Sequence, residues 1–263
     1  MPSLTLLTLA LVGFVAGFVD AIAGGGGLAT LPALALAGLD PVSAVATNKL
    51  AGTLGVGSAT YAFVRAGRVH WRADAPAAAL AFLGSVLGAL CLPYAPKELL
   101  VALMPILLIA VALYFAFARA ARDEPLHAPQ PRRSLAAALS VGFYDGVFGP
   151  GAGTFYMLGF MRFGGRRLID SLPLARLANF GSNFGALLVY ALTGHILVAA
   201  GLAMGAGNLV GAHIGARVAM AVGARIVRPL VVVMSLALAA RLLTLPDAPM
   251  RVWVESLLAC SPL

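Results

Sequence analysis

Six stretches of about 20 apolar residues dominate this chain: 44–64, 75–95, 99–118, 174–193, 196–216 and 226–245. Twenty helical residues rise ~30 Å, the thickness of a bilayer's hydrocarbon core. Lipid offers no partners to the backbone, so segments that cross it are helices whose hydrogen bonds close internally. Composition agrees: 61% of the 263 residues are apolar, 30 more are glycine, and 11% are charged. A soluble chain of this length could not bury that much apolar surface. A soluble enzyme, a disordered chain and a nucleic-acid binder are excluded, despite the net charge of +8. The fold class is an all-α polytopic membrane protein.

The chain also repeats itself. Gly17-Phe18-Val19-Asp20 returns 125 residues on as Gly142-Phe143-Tyr144-Asp145. Further along, the offset is 127: Lys49-Leu50-Ala51 matches Arg176-Leu177-Ala178, and Gly84/Gly88 matches Gly211/Gly215. This divides the chain into a first membrane repeat, 1–118, a Pro/Arg-rich linker, 119–133, a second repeat, 134–245, and a C-terminal tail, 246–263. Each repeat begins with a short apolar arm, 4–19 or 135–144. A glycine-rich break follows, Gly24-Gly25-Gly26-Gly27 or Gly149-Pro150-Gly151-Ala152-Gly153. A second short arm (28–38 or 154–163) and three long transmembrane helices complete the unit. The short arms are marginal for a crossing, which predicts a Gly-broken hairpin with its tip buried in protein. The end of Met1–Ala23 matches an interior segment and no basic region precedes it, so it is read as part of the fold and not as a signal peptide.

Arginines set the orientation. Thirteen of the 18 basic residues fall in four clusters: Arg65, Arg68, Arg72; Arg119, Arg122, Arg132, Arg133; Arg162, Arg166, Arg167; and Arg217, Arg225, Arg228. Counting crossings with the first cluster inside puts all four in the cytoplasm. Lys97, Arg241 and Arg251 fall on or near the outer side. Both termini come out periplasmic, and the two repeats are inverted relative to each other.

Some residues do not belong in lipid. Lys49 and Arg176 occupy equivalent positions, each with polar companions: Thr47 and Asn48, or Asn179, Ser182 and Asn183. Buried basic residues face a cavity or a partner; the alternative is snorkelling to an interface. The breaks can start new helices whose N-termini offer free N–H donors, which suits an anion. Gly24, Gly25, Gly26, Gly27, Gly149, Gly151 and Gly153 therefore join the candidate substrate site. Asp20 and Asp145 each precede a break and are read either as proton relays or as helix caps. Gly84/Gly88 and Gly211/Gly215 are read as close-packing positions. Asp74, Asp123 and Glu124 are read as ordinary loop acids, and Cys91 and Cys260 as unpaired. No metal-ligand spacing and no hydrolase motif is present, so no metal, cofactor or catalytic residue is expected.

The chain resembles the TauE/SafE family, the sulfite-exporter-type transporters of bacteria and archaea. Residues 17–27 (Gly17-Phe18-Val19-Asp20 through Gly27), Thr30-Leu31-Pro32 and Ala46-Thr47-Asn48-Lys49-Leu50-Ala51-Gly52-Thr53 carry the likeness. In the second half it lies in Gly142 through Gly151 and Asn179-Phe180-Gly181-Ser182-Asn183. The resemblance implies a secondary carrier in a bacterial inner membrane, moving a small anion such as sulfite, an organosulfonate or an organic acid, often outward. Alternating access would rock the two repeats about the site. No ATP-binding motif is present, so coupling would use H⁺ or Na⁺. Besides lipid, a homo-oligomeric partner stays open. The alternative is a membrane-embedded enzyme or a structural subunit of a membrane complex.

The charge count makes a topological prediction. In a chain cleared of its native cysteines, Gly67→Cys should resist an impermeant thiol reagent in intact cells. A cysteine at Gly194 should react. Labelling of position 67 from outside would overturn the orientation.

Overall fold

The computed structural model describes residues 2–92 and 128–223, with 227, 229, 230, 232, 233 and 236. All regular structure among them is helical. The elements are α1 (Ser3–Ala23), α2 (Gly27–Leu36), α3 (Pro41–Arg65), α4 (Trp71–Cys91), α5 (Pro131–Val147), α6 (Ala152–Arg162), α7 (Leu168–Thr193) and α8 (Val198–Val222). The predicted span 99–118, most of 226–245, linker residues 119–127 and the tail lie outside the described residues, with Lys97, Arg119, Arg122, Asp123, Glu124, Arg225, Arg228, Arg241, Arg251 and Cys260.

Among the described residues, three helices, α1, α4 and α8, are long and apolar enough to cross a bilayer. Their outer faces expose Leu4, Leu11, Leu83, Leu87 and Leu202, a surface that acyl chains accept and water does not. The chain is a multi-pass membrane protein. α3 and α7 have 25 and 26 residues, but hold the polar candidates and pack against each other. α2 and α6 have 10 and 11 residues, which at ~1.5 Å per residue reach only about half-way across. α1 corrects the short first arm: its 21 residues suffice for a crossing. The helix runs on past Asp20 because that carboxylate finds partners inside the protein.

Packing cuts across the sequence halves. α1, α2 and α3 pack with α8, whereas α4 packs with α5 and α7, and α6 lies on α5 and α7. Each half has thus lent its second long helix to the other. The two resulting bundles meet chiefly along α3 and α7, with a smaller contact of α1 on α6.

Glycines make the seams within each bundle. A Cβ on Gly84 or Gly88 would strike the backbone of Leu139 or Phe143 on α5, and one on Gly142 or Gly146 the backbone of Ala81 or Ser85 on α4. On α8, Gly207, Gly211 and Gly215 sit in the same way against Ala10, Phe14 and Phe18 of α1. Lipid tails are as apolar as leucine, so helices associate through such close van der Waals contact. The pairs Gly84/Gly88 and Gly211/Gly215 are packing positions, as the sequence suggested.

Asp74 departs from its expected loop. It is buried in the first turn of α4, where it accepts from His70 N at 2.8 Å and Arg166 Nη2 at 2.6 Å. It ties α4 to the turn between α6 and α7, inside one bundle.

The seams predict an energetic asymmetry. Gly211→Ala places a methyl on backbone that must move, which costs about 1–3 kcal/mol. Thermal unfolding of purified protein should show a loss of several degrees, against a smaller one for Leu87→Ala on the outer face of α4.

Candidate functional site

Each break forms where a helix cannot continue. Gly24 and Gly149 hold equivalent repeat positions and take φ values of +90° and +98°, which L side chains rarely adopt. Gly24 closes α1 with its N–H on Asp20 O at 2.8 Å, and α2 opens three residues later. A Cβ on Gly24 would overlap Thr154 and Gly153, and Thr154 Oγ1 donates to Ala23 O at 2.6 Å. The two breaks therefore touch.

Helical spacing delivers the polar residues. Asn48, Lys49, Gly52 and Val56 share a face of α3; Arg176, Asn179 and Asn183 share one of α7. These faces meet, since a Cβ on Gly52 would stand 2.7 Å from Asn183 Oδ1.

Two ion pairs cross between the bundles. Lys49 Nζ, 1% exposed, lies 2.8 Å from Asp145 Oδ1 and also donates to the Asp145 carbonyl. Arg176 Nη1, in a side chain with no exposure, donates to Asp20 Oδ2 at 3.1 Å. Each cation comes from α3 or α7, and each carboxylate precedes the break of the other half. Neither basic side chain snorkels. The four formal charges cancel; the sequence matched the two cations and the two acids but did not pair them.

The two acids are held differently. Asp145 Oδ2 accepts from Ser182 Oγ at 2.5 Å and Asn183 Nδ2 at 3.3 Å. Asp20 Oδ1 accepts from Gly26 N at 2.8 Å, capping the start of α2. Asp20 thus caps its own break. The Asp145 carboxylate makes no hydrogen bond to its break among the described residues.

A narrow cavity of about 30 Å³ lies between these groups, room for a water or two. Of the candidates, Asp20, Gly24, Gly26, Gly27, Asn48, Lys49, Asp145, Gly149, Gly151, Gly153, Asn179 and Asn183 line it. Gly25, Thr47, Arg176 and Ser182 do not. Thr47 Oγ1 accepts from Leu197 N at 3.0 Å, at the start of α8. Ser182 stands behind Asp145. Arg176 is one glycine removed, since a Cβ on Gly153 would lie 2.8 Å from Nη1 and Nη2.

The wall also holds Thr30, Gly52, Val56, Ala152 and Asn208, which were not candidates. Asn208 carried a signal, an amide within an apolar helix. Its Nδ2 donates to Ala51 O at 3.1 Å, and Gly17 and Gly55 leave the space it fills. Thr30 Oγ1 donates to Asn48 Oδ1 at 2.5 Å. Val56 and Ala152 have nothing in their chemistry to mark them.

Buried pairs make a sharp prediction. Asp145→Ala strands the Lys49 ammonium and should cost about 3–5 kcal/mol. The charge-free double variant Lys49→Met/Asp145→Leu should cost clearly less. Thermal unfolding of the three proteins side by side measures the difference.

Comparison with known proteins gives a consistent result. The family model described as "Sulfite exporter TauE/SafE" matches residues 9–242. A "Probable membrane transporter protein ORF9" of Sinorhizobium sp is 44% identical over 251 residues, 95% of this chain and 96% of that protein. "Probable membrane transporter protein YfcA" of Escherichia coli K12 is 40% identical over 246 residues, covering 91% of this chain and 90% of the relative. A "Probable membrane transporter protein" of Haemophilus influenzae is 38% identical over 239 residues, 90% and 94% of the two chains. No solved structure matches.

Proposed function

The chain belongs to the TauE/SafE family, which is a family of membrane transporters and not of enzymes, and from that premise we propose a secondary carrier for a small anion in a bacterial inner membrane. Sulfite, an organosulfonate or a related organic acid is the cargo class, moved outward as the family description suggests. Membership removes the membrane-embedded enzyme from the alternatives.

One observation carries the proposal. Each cation of the site has its partners only in the opposite bundle, while each carboxylate keeps donors in its own. Separating the bundles leaves Lys49 and Arg176 bare and both carboxylates still hydrogen-bonded. An anion entering between the bundles replaces what the cations lose. Gly24, Gly26, Gly27, Gly149, Gly151 and Gly153 give it close access to backbone, and Asn48, Asn179 and Asn183 supply neutral partners.

Alternating access then works between bundles, α1–α3 with α8 against α4 with α5–α7, and not between sequence halves. The matched offsets and the arginine distribution support inverted repeats with both termini periplasmic. Released from the cations, Asp20 and Asp145 are the groups at which H⁺ or Na⁺ would couple.

Proteoliposomes test this. Labelled sulfite and methanesulfonate should cross, at a rate that depends on an imposed pH or Na⁺ gradient. Gly57→Cys with Phe180→Cys joins α3 to α7, where a Cβ on Gly57 would lie 3.0 Å from the Phe180 ring. Bridging them with a short dithiol reagent should stop flux. Bridging Ala137→Cys to Gly159→Cys, within one bundle and 3.2 Å apart as Cβ atoms, should not. Undiminished flux across the α3–α7 bridge overturns motion between bundles.

A further inference from the structure

The two ion pairs hold equivalent places but leave different residues of bonding capacity. Lys49 is satisfied by the carboxylate and carbonyl of Asp145, and Asp145 by two further donors. Arg176 gives only Nη1 to Asp20. Its Nε and Nη2 are completely buried and have no hydrogen-bond partner. A guanidinium has five N–H donors and no acceptor. Leaving such donors unmet in a protein interior is costly, so a site that keeps them is shaped for something absent from the chain itself.

The geometry of the vacancy is specific. Nε–H and the nearer Nη2–H lie along one edge of the guanidinium plane and point the same way. That edge matches two oxygens of one carboxylate, sulfite or sulfonate group, in two parallel charge-assisted bonds. Gly153 lines the cavity and stands between it and the guanidinium, where a Cβ would lie 2.8 Å from Nη1 and Nη2. Buried Tyr156 stands on the same face of α6, three residues beyond Gly153. Asp20 cannot fill the edge, because its other oxygen caps α2 at Gly26.

We infer that the Nε–Nη2 edge of Arg176 is the anchor for the cargo's oxyanion group, and that it selects anions presenting two oxygens side by side. Lys49 belongs to the closure between the bundles. This rests on the carrier reading above and narrows it. A halide offers the two donors one shared acceptor at bent angles, whereas a carboxylate or sulfonate gives each donor its own aligned oxygen.

Binding to the purified full chain tests the assignment, read by calorimetry with sulfite, methanesulfonate, acetate and chloride. The wild type should bind the three oxyanions clearly more tightly than chloride. Arg176→Lys keeps the charge and loses the fork, and should weaken oxyanion binding by about ten- to a hundredfold. Arg132→Gln on the exposed start of α5 is the control. Thermal unfolding without ligand shows that Arg176→Lys is folded; if it is not, Tyr156→Phe with Gly153→Ala, which crowds the guanidinium, should lose the same binding. Oxyanion binding that Arg176→Lys leaves unchanged, or chloride binding as strong as that of methanesulfonate, overturns the Arg176 anchor and leaves the carrier standing. A wild type that neither binds nor transports any of these anions overturns both.

Discussion

A bare ammonium or guanidinium cannot stand in the middle of a bilayer. The cost of stripping water from either is several kcal/mol even after relaxation, and only a close counter-charge with further hydrogen bonds offsets it. Lys49 and Arg176 meet this condition through Asp145 and Asp20. Because each pair spans two bundles, the same contacts that make the cations tolerable also hold the bundles together. Much of the local architecture serves these four residues. Two positive-φ glycines end helices just beyond the acids, α3 and α7 bring the bases to a common face, and Ser182, Asn183 and the Gly26 amide finish the carboxylates.

The exchanged helices explain why that arrangement can be both rigid and divisible. Within each bundle, glycines let α8 lie on α1, and α5 on α4, at backbone contact. Such seams depend on shape and resist sliding. Between the bundles the principal contact is α3 on α7, where amides, a lysine and an arginine replace the glycine seams. Stiffness is thus concentrated inside the bundles, and polar, exchangeable contacts lie between them. α2 and α6 are too short to cross, so their N-terminal turns end at depth, where the breaks meet.

How much of this the sequence revealed follows physical lines. Repeated glycines and the paired Lys49 and Arg176 were legible because spacing is a one-dimensional property. The breaks were found for the same reason, as was the packing role of Gly84, Gly88, Gly211 and Gly215. Which acid meets which base was not legible, because the partners lie 96 and 156 residues apart and depend on how halves interleave. Thr47 misled by adjacency: two residues from Lys49 along a helix is about 200° around it, so its hydroxyl faces α8 instead. α1 appeared short because Asp20 read as an end, when its counter-ion lay in the other half. Asp74 read as a loop acid because Arg166 is distant in sequence.

For the proposed carrier, the pairing also accounts for how an electrically neutral site would prefer anions. Neutrality describes the closed arrangement alone. Once the bundles part, Asp145 remains bonded to Ser182 and Asn183, and Asp20 to the Gly26 amide, all within their own bundles. Lys49 and Arg176 retain nothing comparable, since every hydrogen bond their side chains make among the described residues reaches across the gap. The opened surfaces therefore carry satisfied negative groups and unsatisfied positive ones, and the free-energy deficit is all on the cationic side. An anion removes that deficit. Selectivity on this view comes from where each group keeps its second partner, a property that the count of charges does not contain.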